Sequence, residues 1–280
     1  MNDAKLRHIW LCADDYGIAP GVSTAIRDLL ARRRINATSV MVGTPSFSPA
    51  EAAALDEAAA SRAAIGLHLT LTAPFAPLSQ NFAPLRQGAF PPLASMARRA
   101  LSRSLKPALL DAEIVSQFAA FRAAFGRAPD YIDGHQHIHV FPQISEALLR
   151  VTKRAAPNAW LRQCGRPKAA RKIFADPKGL VLDGLSTRFR RLAAAQGVRT
   201  NPAFAGTYAF SPRDNFAKLF PRFLDHLPEG GVVMCHPGKV DAELIRLDPL
   251  TDLREREYAY FLDDGFPQLL AQHGVALAAA

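Results

Sequence analysis

Three clusters of polar residues in this chain could together do metal-assisted hydrolysis: the pair Asp14-Asp15, the single His68, and the run His135-Gln136-His137-Ile138-His139. Two imidazoles and one carboxylate, as Asp15, His68 and His135 would supply, leave positions open on a divalent ion for water and substrate. An ion so held acidifies its water toward neutrality and makes a usable nucleophile. Asp14 precedes Asp15 by one residue, and successive side chains on a strand alternate in direction. One aspartate can then bind metal while Asp14 stays free as the general base that takes the water's proton. His236, in Cys235-His236-Pro237-Gly238, could protonate a leaving amine as general acid. The period-two spacing of His135, His137 and His139 would face all three to one side of an extended strand. Gln136 and Pro142 turn the chain there, so His137 and His139 are expected behind the ligands or against substrate. Arg162 could orient Asp14 or neutralise charge in the site.

Each cluster sits where an apolar run stops. Ile9–Ala13 precedes the aspartates, Ile65–Leu67 precedes His68, Tyr131-Ile132 precedes Asp133-Gly134-His135, and Gly231–Met234 precedes Cys235-His236. Short continuous apolar runs are the mark of strands buried on both faces of a parallel sheet. Such sheets carry their chemistry at the strands' C-terminal ends. Strand-like segments are expected at His8–Ala13, Ser39–Val42, Ile65–Leu71, Tyr131–His135, Ala159–Leu161, Leu180–Leu182, Gly231–Cys235 and Val275–Ala278. Between them lie helix-like segments, among them Gly21–Arg34, Pro49–Ala60, Leu93–Arg103, Asp111–Phe125 and Ile144–Arg154. Ile114, Val115, Phe118, Phe121, Ala124 and Phe125 follow helical spacing, and Gly126 stands where a C-cap glycine belongs. Up to eight strands alternating with helices predict an α/β fold, an irregular (β/α) TIM-barrel-like single domain over residues 1–280.

Two proline-containing stretches break the alternation. Thr72–Pro92 holds five prolines, too many for regular helix, and follows the strand of His68. It is expected to cover the substrate. Gly197–Arg213 is a second loop.

Composition narrows the function classes. With 280 residues and 49% apolar content the chain can bury one large core. No apolar run approaches the roughly 18 residues that span a bilayer, and Asp3, Lys5 and Arg7 interrupt any signal-peptide core. A cytoplasmic location is the expectation. Cys12, Cys164 and Cys235 lack metal or redox spacing and read as buried thiols. The net charge of +9 is concentrated. Between Arg162 and Arg199 ten basic residues face only Asp176 and Asp183. That stretch is either a solvated basic face or a patch for an anionic substrate or membrane surface. Nucleic acid is disfavoured, since no aromatics interleave with the basic residues.

The motifs Ala13-Asp14-Asp15-Tyr16-Gly17 with Pro20-Gly21, Gly66-Leu67-His68-Leu69-Thr70-Leu71-Thr72, Asp133 to Pro142, and Met234 to Gly238 occur in that order. Together they resemble the YdjC-like carbohydrate deacetylases, a family with a chitooligosaccharide deacetylase branch and a hopanoid-associated branch. The resemblance implies a barrel-like fold, removal of an acetyl group from an N-acetylated amino sugar, and release of acetate. It also implies one divalent ion, usually magnesium in the family, on Asp15, His68 and His135, with Asp14 as base and His236 assisting the leaving group. Two imidazoles suit zinc, manganese or cobalt better than magnesium, which prefers oxygen. Tyr16 stands where the family often has Phe. Gln136 stands where the hopanoid branch has Lys, which points away from that branch. The substrate implied is an N-acetylated sugar or glycolipid, and a homo-oligomer is the family expectation. The competing readings are a phosphoesterase-type metallohydrolase, using the basic stretch to read phosphate, and a non-catalytic glycolipid-binding protein on the same fold.

Overall fold

In a computed structural model that describes residues 6–167, 169 and 177–279, eight parallel strands form the centre of the molecule. They are β1 (Arg7–Tyr16), β2 (Ala37–Val40), β3 (Ala64–Leu69), β4 (Tyr131–Gly134), β5 (Trp160–Leu161), β6 (Phe204–Ala205), β7 (Val232–Cys235) and β8 (Val275–Leu277). The order across the sheet is β5-β4-β3-β2-β1-β7-β6, with β8 beside the first residues of β1. Between β5 and β6 the curve is completed by a single bridge, Leu161 to Thr200, and by Phe204 N–H donating to Gly165 O at 3.0 Å. The result is the irregular barrel the alternation predicted.

Every residue of β2, β3, β4 and β7 is buried, on both alternating faces. This is what continuous apolar runs encode when helices cover the outside of a barrel. Close packing shows at Gly66 on β3: a Cβ there would lie 2.5 Å from the Tyr131 ring. Tyr131 therefore lies flat across β3 and reaches Cys12 Sγ with its hydroxyl at 2.7 Å. Around the strands run helices at Pro20–Ala31, Pro49–Ala59, Leu93–Leu101, Pro107–Phe125 and Ile144–Ala155, close to the expected positions. Gly126 ends the fourth of these in the left-handed region at φ +69° and donates its N–H to Arg122 O.

Two expectations are corrected. Leu180–Leu182 is not a strand; it lies within the helix Pro177–Ala195. Buried Gly179, Asp183, Ser186, Phe189 and Ala193 recur at three- and four-residue spacing, whereas Leu180 and Val181 are exposed. A three-residue apolar run had too little length to show that period. The strand that takes its place is β6, two residues inside the loop expected at Gly197–Arg213. Tyr131–His135 also ends one residue early: His135–Val140 winds into a 3₁₀ turn, with Gln136 and His137 at φ +54° and +58°. The three histidines thus fan out instead of lining one face.

Cys12, Cys164 and Cys235 are all buried free thiols, as expected. No helix among the described residues is long and apolar enough to cross a membrane.

Candidate active site

The strands' C-terminal ends meet at a buried cluster. β1 carries both aspartates, with Asp15 at φ +69° and a shift of register against β2 between Ala13 and Tyr16. A left-handed residue that is not glycine is held there at a cost, and it redirects the carboxylate out of strand alternation. Asp15 Oδ1 lies 3.1 Å from His68 Nε2 at the end of β3, and 2.9 Å from His135 Nδ1 just past β4. These three donor atoms lie within 4.8 Å of one another and all three residues are buried. The sequence-expected ligands are therefore brought together.

Each has a partner behind it. His68 Nδ1 donates to Asp133 Oδ1 at 2.6 Å, which fixes the ring so that Nε2 faces Asp15. Burial opposes charge on His68, but Asp133 and Asp15 outweigh it and raise the imidazole to about 10. Asp15 Oδ2 accepts from Arg254 NH2 at 2.6 Å. Burial pushes the Asp15 carboxyl up, yet Arg254 and His135 hold it well below the ordinary carboxylate range.

Asp14 points to a different partner. Arg162, wholly buried just after β5, donates from NH1 to Asp14 Oδ2 and from NH2 to Asp14 Oδ1, both at 2.6 Å. The same NH2 contacts Asp133 Oδ2, and it lies 2.8 Å from Cys12 Sγ. Ser39 Oγ donates to Asp14 Oδ1 at 3.4 Å. Against burial, the Arg162 guanidinium keeps the Asp14 carboxyl ionised far below its usual range.

His236 follows β7 with Nε2 4.0 Å from Asp15 Oδ2. Its backbone N–H donates to Glu257 Oε2 at 2.6 Å, and Tyr208 donates its hydroxyl to Glu257 Oε1 at 2.5 Å. Burial pushes the His236 imidazole below its ordinary value, and His236 Nδ1 has no partner among the described residues. His139 is fully buried and donates Nε2–H to the Arg162 carbonyl at 2.7 Å, so it supports the arginine's backbone. His137 is half-buried, 3.6 Å from Cys164 Sγ and edge-on to Phe204. Burial lowers both imidazoles to about 3, which leaves them neutral.

The proline-rich loop reaches the cluster: Phe75 packs edge-on against His135 with ring centroids 5.6 Å apart. Buried Glu113 accepts from the N–H groups of Leu78 and Ser79 and ties the loop to the helix Pro107–Phe125.

Three cations of the basic stretch are paired within the protein. Arg162 is inside the site, Arg166 pairs with Asp183, and Arg188 pairs with Glu146. Lys168, Arg171, Lys172 and Asp176 lie outside the described residues.

Arg254 and Glu257 are site residues that motif reading passed over, and Asp133 stood inside a quoted motif without a role. Asp133 was visible as a polar residue at a strand end, two before His135. Arg254 and Glu257 share one face of the helix Asp252–Leu262 with Leu253 and Phe261, all buried. Charged residues at core positions of a helix were the only signal.

Fold and site define a (β/α)-barrel protein with a buried centre of two histidines and one carboxylate. The model of the YdjC-like protein family matches residues 8–272, and the chain belongs to that family. A chitooligosaccharide deacetylase of Serratia marcescens is 28% identical over 84% of this chain and 83% of its own. One from Yersinia pestis (strain Pestoides F) is 26% identical over 83% and 82%. Among solved structures, a candidate cellobiose-phosphate cleavage protein of Enterococcus faecalis V583 matches with a TM-score of 0.74 at 20% identity, covering 98% of this chain and 97% of that one. A lactam utilization protein of Thermus thermophilus matches at 0.53 and 17%, covering 98% and 100%.

Proposed function

We propose that the protein is a metal-dependent N-deacetylase of an acetylated amino sugar, releasing acetate. The observation that carries this reading is the division of labour between adjacent aspartates: Asp15 faces two histidines, while Asp14 is gripped by Arg162. Its family and its relatives' names supply the substrate class.

The residues fit a divalent ion. Asp15, His68 and His135 offer one oxygen and two nitrogens within 4.8 Å of each other, a set that suits zinc, manganese or cobalt, with magnesium the less favoured by donor chemistry. Bound there, the ion supplies Lewis acidity, lowering the pKa of water and stabilising charge on the attacked carbonyl.

The chain's own groups do the proton work. Asp14, held ionised by Arg162 against burial, accepts the proton of the attacking water. Arg162 orients it and stabilises its charge, at a cost in basicity. The proton given up by the attacking water to Asp14 returns to the departing amine nitrogen, with His236, whose imidazole burial holds below its ordinary value, as the carrier. Phe75 and the proline-rich loop limit water around His135.

Of the ten basic residues on which a phosphoesterase reading would draw, Arg162, Arg166 and Arg188 are paired within the protein, which favours the deacetylase. The test is acetate release from chitooligosaccharides and other N-acetylated sugars by chelator-stripped protein reloaded with single metals. Metal-restored acetate supports the deacetylase; phosphate release from sugar phosphates with no acetate across the panel refutes it.

A further inference from the structure

Arg254 is a buried cation in the site that neither the reaction nor the motifs account for. It lies on the helix Asp252–Leu262, far along the chain from Asp14, Asp15, His68 and His135. Its NH2 lies 2.6 Å from Asp15 Oδ2 and 2.6 Å from Asp248 Oδ2, and its Nε donates to Leu250 O at 3.0 Å. The arginine is itself fixed overhead: Gly238 donates its N–H to Arg254 O at 3.0 Å, and a Cβ on Gly238 would lie 3.4 Å from Arg254 Cβ and Cδ. The chain just past β7 thus packs directly on the guanidinium stem.

The two oxygens of Asp15 are consequently not equivalent. Oδ1 faces His68 Nε2 and His135 Nδ1, whereas Oδ2 faces the Arg254 guanidinium. We propose that Arg254 is a positioning residue: by engaging Oδ2 it restricts Asp15 to one-oxygen ligation and keeps a coordination position open for the reacting molecules. This rests on the reading that Asp15, His68 and His135 hold the ion. A carboxylate free to chelate with both oxygens would fill two positions on the ion, and a two-histidine, one-carboxylate centre needs its vacant positions for water and substrate. Asp248 has a supporting part, since it fixes the same NH2 from the other side.

The test uses the full chain, stripped of metal and titrated with Co2+, whose visible bands are strong at low coordination number and weak at six. Wild type should bind one Co2+ with strong bands. Arg254→Met should give bands several-fold weaker, as Oδ2 becomes free to chelate, with Co2+ affinity altered about 10- to 100-fold. Asp248→Asn, which keeps the arginine and loosens it, should shift the spectrum the same way by less. Arg254→Lys should restore the wild-type bands in part. Circular dichroism checks that each variant folds; if Arg254→Met does not, Asp248→Asn and Arg254→Lys carry the comparison. Wild-type spectrum and affinity in every folded variant would overturn the proposal. A different result, Co2+ binding that survives His135→Ala and Asp15→Asn unchanged, would sink the metal-centre reading itself.

Discussion

Arg162 holds Asp14 by both ends of its guanidinium, NH1 to Oδ2 and NH2 to Oδ1, each at 2.6 Å, and neither group is exposed to solvent. A two-pronged pair of this kind fixes the orientation of the carboxylate as well as its charge. The geometry separates Asp14 from Asp15 although they are adjacent in sequence, because Asp15 faces the histidines and Arg254.

Asp14→Asn keeps the shape and removes the base. Acetate release should fall about 10²- to 10⁴-fold while metal content stays near wild type. His135→Ala should lose both. Acetate assays beside metal analysis of the same preparations check this; an Asp14→Asn enzyme with full turnover would remove Asp14 from the proposed mechanism.

Asp133 acts on the centre through His68, at 2.6 Å from Nδ1. Asp133→Asn should weaken metal affinity by about 10- to 100-fold with the ligands themselves intact. Isothermal titration with Mn2+ or Zn2+ measures it. An unchanged affinity would mean that the His68 ring is oriented by packing alone.

Glu257 gives a pH signature separable from the rest. Burial raises its carboxyl from an ordinary 4.5 to about 7. Between those values the folded protein holds a proton that the unfolded chain has lost, so this group's contribution to stability falls as pH rises through the window. The size is about 3 kcal/mol at most. Glu257→Gln imitates the protonated acid and should not show the loss. The difference in Tm, variant minus wild type, should therefore grow from about pH 5 to about pH 7.5. A difference that is flat across this range would refute the assignment.

Gly66→Ala forces a methyl group to within 2.5 Å of the Tyr131 ring. The overpacking should cost about 1–3 kcal/mol. Tyr131 also bonds Cys12, beside the Arg162 guanidinium, so activity should drop further than stability alone explains. Thermal melts and acetate assays on one preparation separate the two losses.

Much of this arrangement is legible in the sequence alone. Apolar runs that end in polar residues placed β1, β3, β4 and β7 and aimed Asp14, Asp15, His68, His135 and His236 at one mouth, because burial on both faces leaves a strand no other pattern. One short strand of the barrel escaped. β6 is two residues long, too short to carry a period, and Leu180–Leu182 imitated a strand while lying on the outside of a helix, whereas β5 fell where Ala159–Leu161 was expected. Local backbone was also hidden: nothing in the sequence announces that Asp15, Gln136 and His137 take positive φ, since their neighbours impose it. Arg254 shows the same limit for chemistry. Its partner Asp15 is remote in sequence, and only the closed fold brings the two together.

That remoteness sets an order of assembly. β1 is made first, yet its neighbours β7 and β8 and the arginine that holds Asp15 belong to the last part of the chain. Arg7, at the start of β1, also donates to the carbonyls of Leu224 and His273. A chain emerging from the ribosome presents Asp15, His68 and His135 long before Arg254 exists, so the nascent polypeptide has ligands without the clamp that orders them. Synthesis must pass Arg254 before Asp15 can gain this partner, and a product ending between Gly238 and Arg254 would carry every recognisable motif and still lack the arginine that holds Asp15.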